Sequence, residues 1–381
     1  MPTKAPFQEV ADLIKESGGE ALKGCYQCGT CSATCPWRDY ISFLPRRMFE
    51  EARLGLTDFE SDALWRCVTC NKCVERCPRG VPIIDLMRAL RRSVISMGIA
   101  EAPEALTGAL RNLSATGNPM GEAAESRNAW AEGLGIKPFD TSTEYLFFPC
   151  CYTAFDPGMK NVGRSTVKVL AAAGIDFGLL ESTVCCGESA RKAGDEALFQ
   201  QLASGNARLF KESGVTKIIV NSPHCYHTLN NEYPELDARF EVVHTSQLLT
   251  NLIDEGRLKL TTNLDRKVTY HDPCYLGRHN GIFEEPRRLI NAVPGAAAVE
   301  MASKKADSLC CGGGGGRIWM ETPRSERFSE ERLTQAIATG ADTLVTACPY
   351  CLSNFKDSGL NQSLPDTFSI IDISELIAQA L

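Results

Sequence analysis

The chain has no long apolar run, no signal-like leader and no excess of positive charge. Nothing in its 381 residues approaches the ~18 consecutive apolar residues of a membrane-spanning helix. Its start, Met-Pro-Thr-Lys-Ala, has no apolar signal core. Both absences predict a cytoplasmic protein, peripheral on the inner face of a membrane only through a partner. Lys and Arg number 40 against 47 Asp and Glu, a net charge of −7, so nucleic acid is not an expected partner. The basic residues that do cluster, Arg46-Arg47 and then Arg88, Arg91 and Arg92, read as solvated helix faces or as docking points for an acidic redox partner. A nucleotide loop is also missing. The run Gly312–Gly316 is followed by Arg317 rather than by Lys-Ser/Thr, and it is not a G-x-G-x-x-G fingerprint between strand and helix.

What is abundant is cysteine. The eighteen copies do not suit a disulfide framework, because the chain is large, does not read as secreted and spaces them like metal ligands. The early part carries Cys25-x-x-Cys28-x-x-Cys31-x-x-x-Cys35-Pro36 and, 42 residues later, Cys67-x-x-Cys70-x-x-Cys73-x-x-x-Cys77-Pro78. This is a bacterial-ferredoxin run in two copies. The tight loop gives three thiolates to one cubane, and the cysteine before proline goes to the other. The expected ligand sets of two [4Fe-4S] cubanes are Cys25, Cys28, Cys31 and Cys77, and Cys67, Cys70, Cys73 and Cys35. Paired zinc sites share the Cys-x-x-Cys spacing, but the third cysteine and the proline favour cubanes, whose role is electron transfer.

Around these motifs the periodicity is helical: residues 7–17, 46–56 and 83–97 are expected helices. From Glu144 onward short apolar runs alternate with helical segments, which implies parallel α/β layers. The expected strands are Tyr145–Phe148, Lys217–Val220, Val268–Tyr270 and Thr343–Thr346. The expected helices are Ser165–Ala173, Glu196–Glu212, Phe283–Ala292, Glu326–Thr339 and Ser374–Leu381.

This half repeats itself. Cys150 and Cys274 are 124 residues apart, Cys185 and Cys310 are 125, and Ser222 and Cys348 are 126. Three landmarks at a nearly constant offset indicate two copies of one unit, each presenting cysteines at strand ends, where open α/β sheets bind ligands. The adjacent pairs Cys185-Cys186 and Cys310-Cys311 suit a large or split cluster better than one tetrahedral ion. The five-glycine run is expected to let the backbone wrap that cluster and leave an open approach for a substrate. His224 and His227 are expected as polar loop residues beside the first site. His271 and Asp272, ahead of Cys274, read as a structural strand terminus or as candidates for tuning a cluster by hydrogen bonding or for delivering protons. Arg317 is placed to attract an anion, to cap a helix or to pair on the surface.

The pattern Cys–x(34)–Cys-Cys-Gly–x(34)–Ser-x-x-Cys, then Cys–x(35)–Cys-Cys-Gly–x(35)–Cys-x-x-Cys, resembles the tandem CCG domain of heterodisulfide reductases. The Cys25-Tyr-Gln-Cys-Gly-Thr-Cys-Ser-Ala-Thr-Cys-Pro stretch resembles their ferredoxin-type subunit. The fused order is similar to the HdrD-type subunit and its relatives, including DsrK-like subunits and the HdrD-like subunit of class II benzoyl-CoA reductase complexes. The resemblance implies an α+β multidomain chain: an α-helical ferredoxin domain with two cubanes over 1–98, a helical connector over 99–142, and two pseudo-two-fold CCG repeats over about 143–262 and 263–381. For a complete five-cysteine motif it implies a noncubane [4Fe-4S] cluster that can cleave a disulfide in one-electron steps.

Carried over residue by residue, Cys274, Cys310, Cys311, Cys348 and Cys351 form a complete set with a catalytic role. Cys150, Cys185, Cys186 and Cys225 match too, but Ser222 replaces the fifth cysteine and is a poor ligand for a thiophilic cluster. Those four suit an iron–sulfur cluster or zinc, with Cys151, His224 or His227 available to fill the gap. The implied function is an electron-transfer subunit of a redox complex, partnered by a flavoprotein such as an HdrA-like subunit or by a membrane cytochrome b, with a thiol or disulfide as substrate. The alternatives are an iron–sulfur subunit of a lactate- or glycolate-type dehydrogenase and a relay without catalysis of its own. Iron, sulfide and zinc content per chain, with EPR of the oxidised protein, separates the cofactor readings. About eight irons fill two cubanes, and about twelve add a third cluster.

Overall fold

Short apolar runs between helices generate the layout of the larger part of the chain. The computed structural model describes residues 6–56, 63–96, 98, 102–362, 364–365 and 367–381. Among them, strands β1 (Lys137–Pro138), β2 (Tyr145–Phe148), β3 (Phe177–Leu179), β4 (Lys217–Val220) and β5 (Glu241–His244) form one sheet. Strands β6 (Arg266–His271), β7 (Ala296–Val299), β8 (Thr343–Thr346) and β9 (Ser369–Asp372) form a second. The orders are β1-β3-β2-β4-β5 and β7-β6-β8-β9, and every pairing is parallel. Without β1 the two sheets have the same topology, which is the architectural counterpart of the sequence repeat. The strands at their centres, Ile218–Val220 and Thr343–Thr346, are buried on consecutive residues, as parallel strands covered on both faces must be.

The strand runs read from the sequence lie within β2, β4, β6 and β8. Of the others, β1, β3 and β7 are made by pairing rather than by composition. β7 is Ala-Ala-Ala-Val at a sheet edge, with little β preference of its own. β3 contains Gly178, where a Cβ would sit 2.8 Å from the backbone of Phe139; only glycine lets the chain after β1 lie so close. The 99–142 stretch, expected as a helical connector, holds a helix (Glu104–Thr116) and a 3-10 segment (Ala124–Ala131) and also contributes β1 to the first sheet. Residues 99–101 and Met97 lie outside the described residues.

The N-terminal part is helical: Gln8–Ile14 running into a π turn at Lys15–Gly19, then Pro45–Arg53 and Ile83–Ser96. No described helix is long and apolar enough to cross a membrane. Ile83–Ser96 corrects one expectation. Arg91 does not lie on a solvated face: it is fully buried, because the helix is covered on that side by both repeats. Its Nη1 donates to Lys192 O (2.5 Å) and Gly315 O (2.9 Å), and its Nη2 to Leu64 O (2.7 Å) and Cys67 O (2.9 Å). Nearby, Trp65 donates to Ala193 O at 3.4 Å. Trp37 packs on Phe328 with ring centroids 4.6 Å apart.

A buried ionic cluster makes a second seam. Glu232, 3% exposed, receives Arg88 at 2.9 Å from the Ile83–Ser96 helix and is also bonded by the buried Lys192. Burial opposes its ionisation, but Lys192 and then Arg88 outweigh that and hold its pKa at about 2, against an ordinary 4.5. The folded state therefore binds this proton less tightly than the unfolded chain. The associated stability is complete above pH 4.5 and is lost as the pH falls towards 2. Glu232→Gln should cost about 3–5 kcal/mol by leaving buried cations uncompensated. A lower thermal midpoint at neutral pH, with the deficit shrinking below pH 4, is the expected readout.

Candidate metal centres

In each ferredoxin motif the local backbone is set by two left-handed residues. Gln27 and Gly29 have φ of 58° and 81°, and Thr69 and Asn71 have 48° and 66°. These are matching positions in the two loops. Such alternation turns successive N–H groups inward; Gln27 N, for example, lies 3.4 Å from Cys25 Sγ. Cys25, Cys28, Cys31 and Cys77 line one cavity, with the exposed Arg46 and Arg79 on its wall. Cys35 and Cys73 are pushed up in pKa first by burial and then by the neighbouring Cys70 and Cys67. The structure thus places Cys25, Cys28, Cys31 and Cys77 around one cavity and Cys35 and Cys73 near Cys67, Cys70 and Cys31.

The wide motifs are positioned by strand ends. Ser222 and Cys348 each cap a helix that follows a central strand and starts with proline, Pro223 and Pro349, a residue pre-organised for that position. Cys150 and Cys274 follow β2 and β6. Cys274 and Cys310 have Sγ atoms 3.9 Å apart, Cys310 touches Cys311, and Cys311 touches Cys351. Cys351 touches Cys348, whose pKa burial raises but Cys351 and His224 bring down to about 6. All five are buried and free of disulfides.

His271 joins them, lying with Cys311 and Cys351 so that all three ligand atoms are within 4.8 Å of one another. Its Nδ1 accepts from Arg332 Nε at 3.3 Å, which leaves the ring proton on Nε2. Asp272 is engaged elsewhere, bonded by Arg287 at 2.7 Å and by Lys305 N at 2.8 Å. It anchors the strand end rather than carrying protons.

Cys70 of the second ferredoxin loop is in side-chain contact with Cys310. That contact and Arg278 bring its pKa to about 5 against the cost of burial. Arg278 Nε donates to Cys70 O at 2.6 Å, the Thr69 and Tyr275 hydroxyls lie 2.9 Å apart, and His279 Nε2 lies 2.7 Å from Thr69 O. The middle of the five-glycine run does not form an open approach. A Cβ on Gly314 would lie 2.3 Å from Val68 O, and one on Gly315 would lie 2.2 Å from Cys67 O. The glycines are where the second repeat meets the ferredoxin loop, backbone against backbone.

The open approach lies on the other side of Cys311. A cavity of about 320 Å³ is lined by Cys311, Gly312, Arg317, Asn354, Phe328 and Trp37 among others. Arg317 is in its wall, stacked over Trp37 and bonded to Glu321 O at 3.0 Å. His224, expected in a loop, is a buried residue of the Pro223–His227 helix. It stacks between Tyr275 and Tyr350 at 4.1 and 4.3 Å and shares a 3.0 Å bond with Glu188. Burial disfavours its charge, but Glu188 and Cys348 hold its pKa well above the histidine range. Residues with no recognisable signal in the sequence also matter here: Arg278, Arg332 and Tyr275 look like ordinary side chains until the fold places them.

The donor sets test well against iron–sulfur chemistry. They are thiols free of disulfides, fully buried in the two repeats and mostly part-buried in the ferredoxin loops, and soft ligands of this kind select iron–sulfur clusters or zinc. Two family descriptions match the chain: a cysteine-rich CCG domain at residues 145–230 and 268–356, and a 4Fe-4S dicluster domain at 20–81. The HdrD component of the dihydromethanophenazine:CoB–CoM heterodisulfide reductase of Methanosarcina acetivorans is 31% identical over 415 aligned positions, covering 100% of this chain and 99% of that protein. The chain belongs to the HdrD family of CCG iron–sulfur proteins. It is also 35% identical to the EtfAB:quinone oxidoreductase of Syntrophomonas wolfei and 32% identical to the probable iron–sulfur-binding oxidoreductase FadF of Bacillus subtilis. Each match covers 84% of this chain and 47% of the relative, so the chain spans about half the length of these two proteins.

The glycine contact yields a stability test. Gly315→Ala should cost about 1–3 kcal/mol, because backbone on backbone cannot yield. Gly313→Ala, which meets the movable Asn354 side chain, should cost less. Thermal midpoints of the two variants, measured on protein with equal iron content, check this.

Proposed function

We propose that this chain is the electron-transfer subunit of a multisubunit oxidoreductase, with a disulfide-reducing site in its second CCG repeat. The carrying observation is the side-chain contact between Cys70 and Cys310, which joins the thiol groups into a row from the exposed Cys28 to the cavity at Cys311. In this reading Cys25, Cys28, Cys31 and Cys77 hold one cubane and Cys67, Cys70, Cys73 and Cys35 the other. Cys274, Cys310, Cys311, Cys348 and Cys351 hold a noncubane [4Fe-4S] cluster. When bound, these groups supply one-electron transfer. The protein's own residues fix the spacing and manage charge: Arg278 and Arg91 place buried cations beside the thiol loops, and the His271 Nε2 proton is directed at Cys311.

The cavity beside Cys311 admits a small disulfide. Reducing it consumes two electrons and two protons and releases two thiols. The electrons come from a partner protein, a flavoprotein or a membrane cytochrome b, docked near Cys28. The likeness to the EtfAB:quinone oxidoreductase favours a second reading, in which the Cys311 end passes electrons to another redox protein. Adding thiols to the oxidised holoprotein separates the two. The first reading expects a new paramagnetic signal, abolished in Cys311→Ala together with about four irons, while the ferredoxin-motif signals persist. A holoprotein whose EPR spectrum responds to no thiol or disulfide would sink the disulfide site and leave the relay.

A further inference from the structure

The first repeat is one thiol short by its motif, since Ser222 stands where the second repeat has Cys348. The fold makes up the number. Cys150 touches Cys225, and Cys225 lies 3.8 Å from Cys186. Cys186 touches Cys185, and Cys185 touches Cys151, a residue outside the motif. Five buried thiols form an unbroken chain of contacts, as in the second repeat, although the extra one enters beside Cys185 instead of beside Cys225. The residue of the second repeat at Cys151's position, by the 124-residue offset of Cys150 and Cys274, is Tyr275, whose hydroxyl is turned to Thr69. Each repeat therefore has its fifth thiol at a position where the other has none. Ser222 Oγ is buried and has no hydrogen-bond partner, so it is not committed to the protein around it.

A second observation points the same way. Arg127, in the segment that precedes the first sheet, is 1% exposed. It donates to Thr183 Oγ1 (3.0 Å), Pro149 O (3.0 Å) and Cys151 Sγ (3.5 Å). No carboxylate pairs with it among the described residues. A buried guanidinium needs an anion, and the thiol chain is the group in reach. We infer that the first repeat holds its own iron–sulfur cluster on Cys150, Cys151, Cys185, Cys186 and Cys225, with Cys151 replacing the missing motif ligand and Arg127 as the buried counter-cation. Five contiguous thiols exceed the closed four-ligand set of a structural zinc. This rests on reading the repeats as iron–sulfur sites.

The test uses the full chain purified without oxygen, with iron, sulfide and zinc analysis and Mössbauer spectra. About sixteen irons are expected, four for each of four clusters. Cys151→Ala should lose about four of them and one Mössbauer component, while retained ferredoxin-motif signals show that the chain has folded. Ser222→Ala should lose none, and Arg127→Met should loosen the same component that Cys151→Ala removes. The inference is overturned if Cys151→Ala keeps the full iron content and spectrum, or if one zinc per chain takes the place of those irons. Failure of the second-repeat reading shows separately, as a Cys348→Ala variant that loses no iron.

Discussion

A single buried guanidinium holds the architecture in register. Arg91 reaches backbone carbonyls of the ferredoxin part (Leu64, Cys67), the first repeat (Lys192) and the second repeat (Gly315). Carbonyl oxygens cannot move independently of their chain, so these bonds locate three segments together, one of them bearing Cys67 of the second ferredoxin motif. No carboxylate pairs with Arg91 among the described residues; burial works against its charge, and the carbonyl oxygens it donates to oppose that cost. The cation that fixes the geometry thus also favours an anionic group beside it. Arg127 and Arg278 repeat the device at the first and second repeats: Arg127 donates to Pro149 O and Cys151 Sγ, and Arg278 donates to Cys70 O and Ser308 O beside the Cys70 side chain.

Much of the fold was legible because its signals are local. The strands β2, β4 and β8 are runs whose apolar residues are determined by burial on both faces, and the duplicated ferredoxin loop needs its three-residue spacing to close around one centre. The edge strands β1 and β7 were not legible. Lys137–Pro138 and Ala296–Val299 have no strand character apart from a neighbour's free edge. Arg91 illustrates the same limit for charge: in a helical stretch with Arg88 and Arg92 it is indistinguishable from a solvated residue, and only tertiary packing makes it a core element.

For the candidate site the division is similar. Spacing singled out the cysteines of each motif, since ligand geometry imposes spacing along the chain. Spacing could not show that Gly314 and Gly315 face the Cys67–Cys70 loop, or that Cys151 turns towards Cys185, because those contacts join residues with large separations in sequence. His224 was misplaced for a related reason. The motif shows only that it precedes Cys225, whereas its environment comes from Tyr275 and Tyr350 of the other repeat.

Thr69 is a β-branched residue with φ of +48°, a conformation such residues rarely adopt unaided. It is held there by Tyr275 and His279, both from the second repeat, and it lies between two cysteines of one ferredoxin loop. The first loop adopts the same conformation at the unbranched Gln27; in the second loop the β-branched residue is braced from outside the loop. The link from this loop to Cys310 on which the proposed function rests is thus braced by residues more than two hundred positions away.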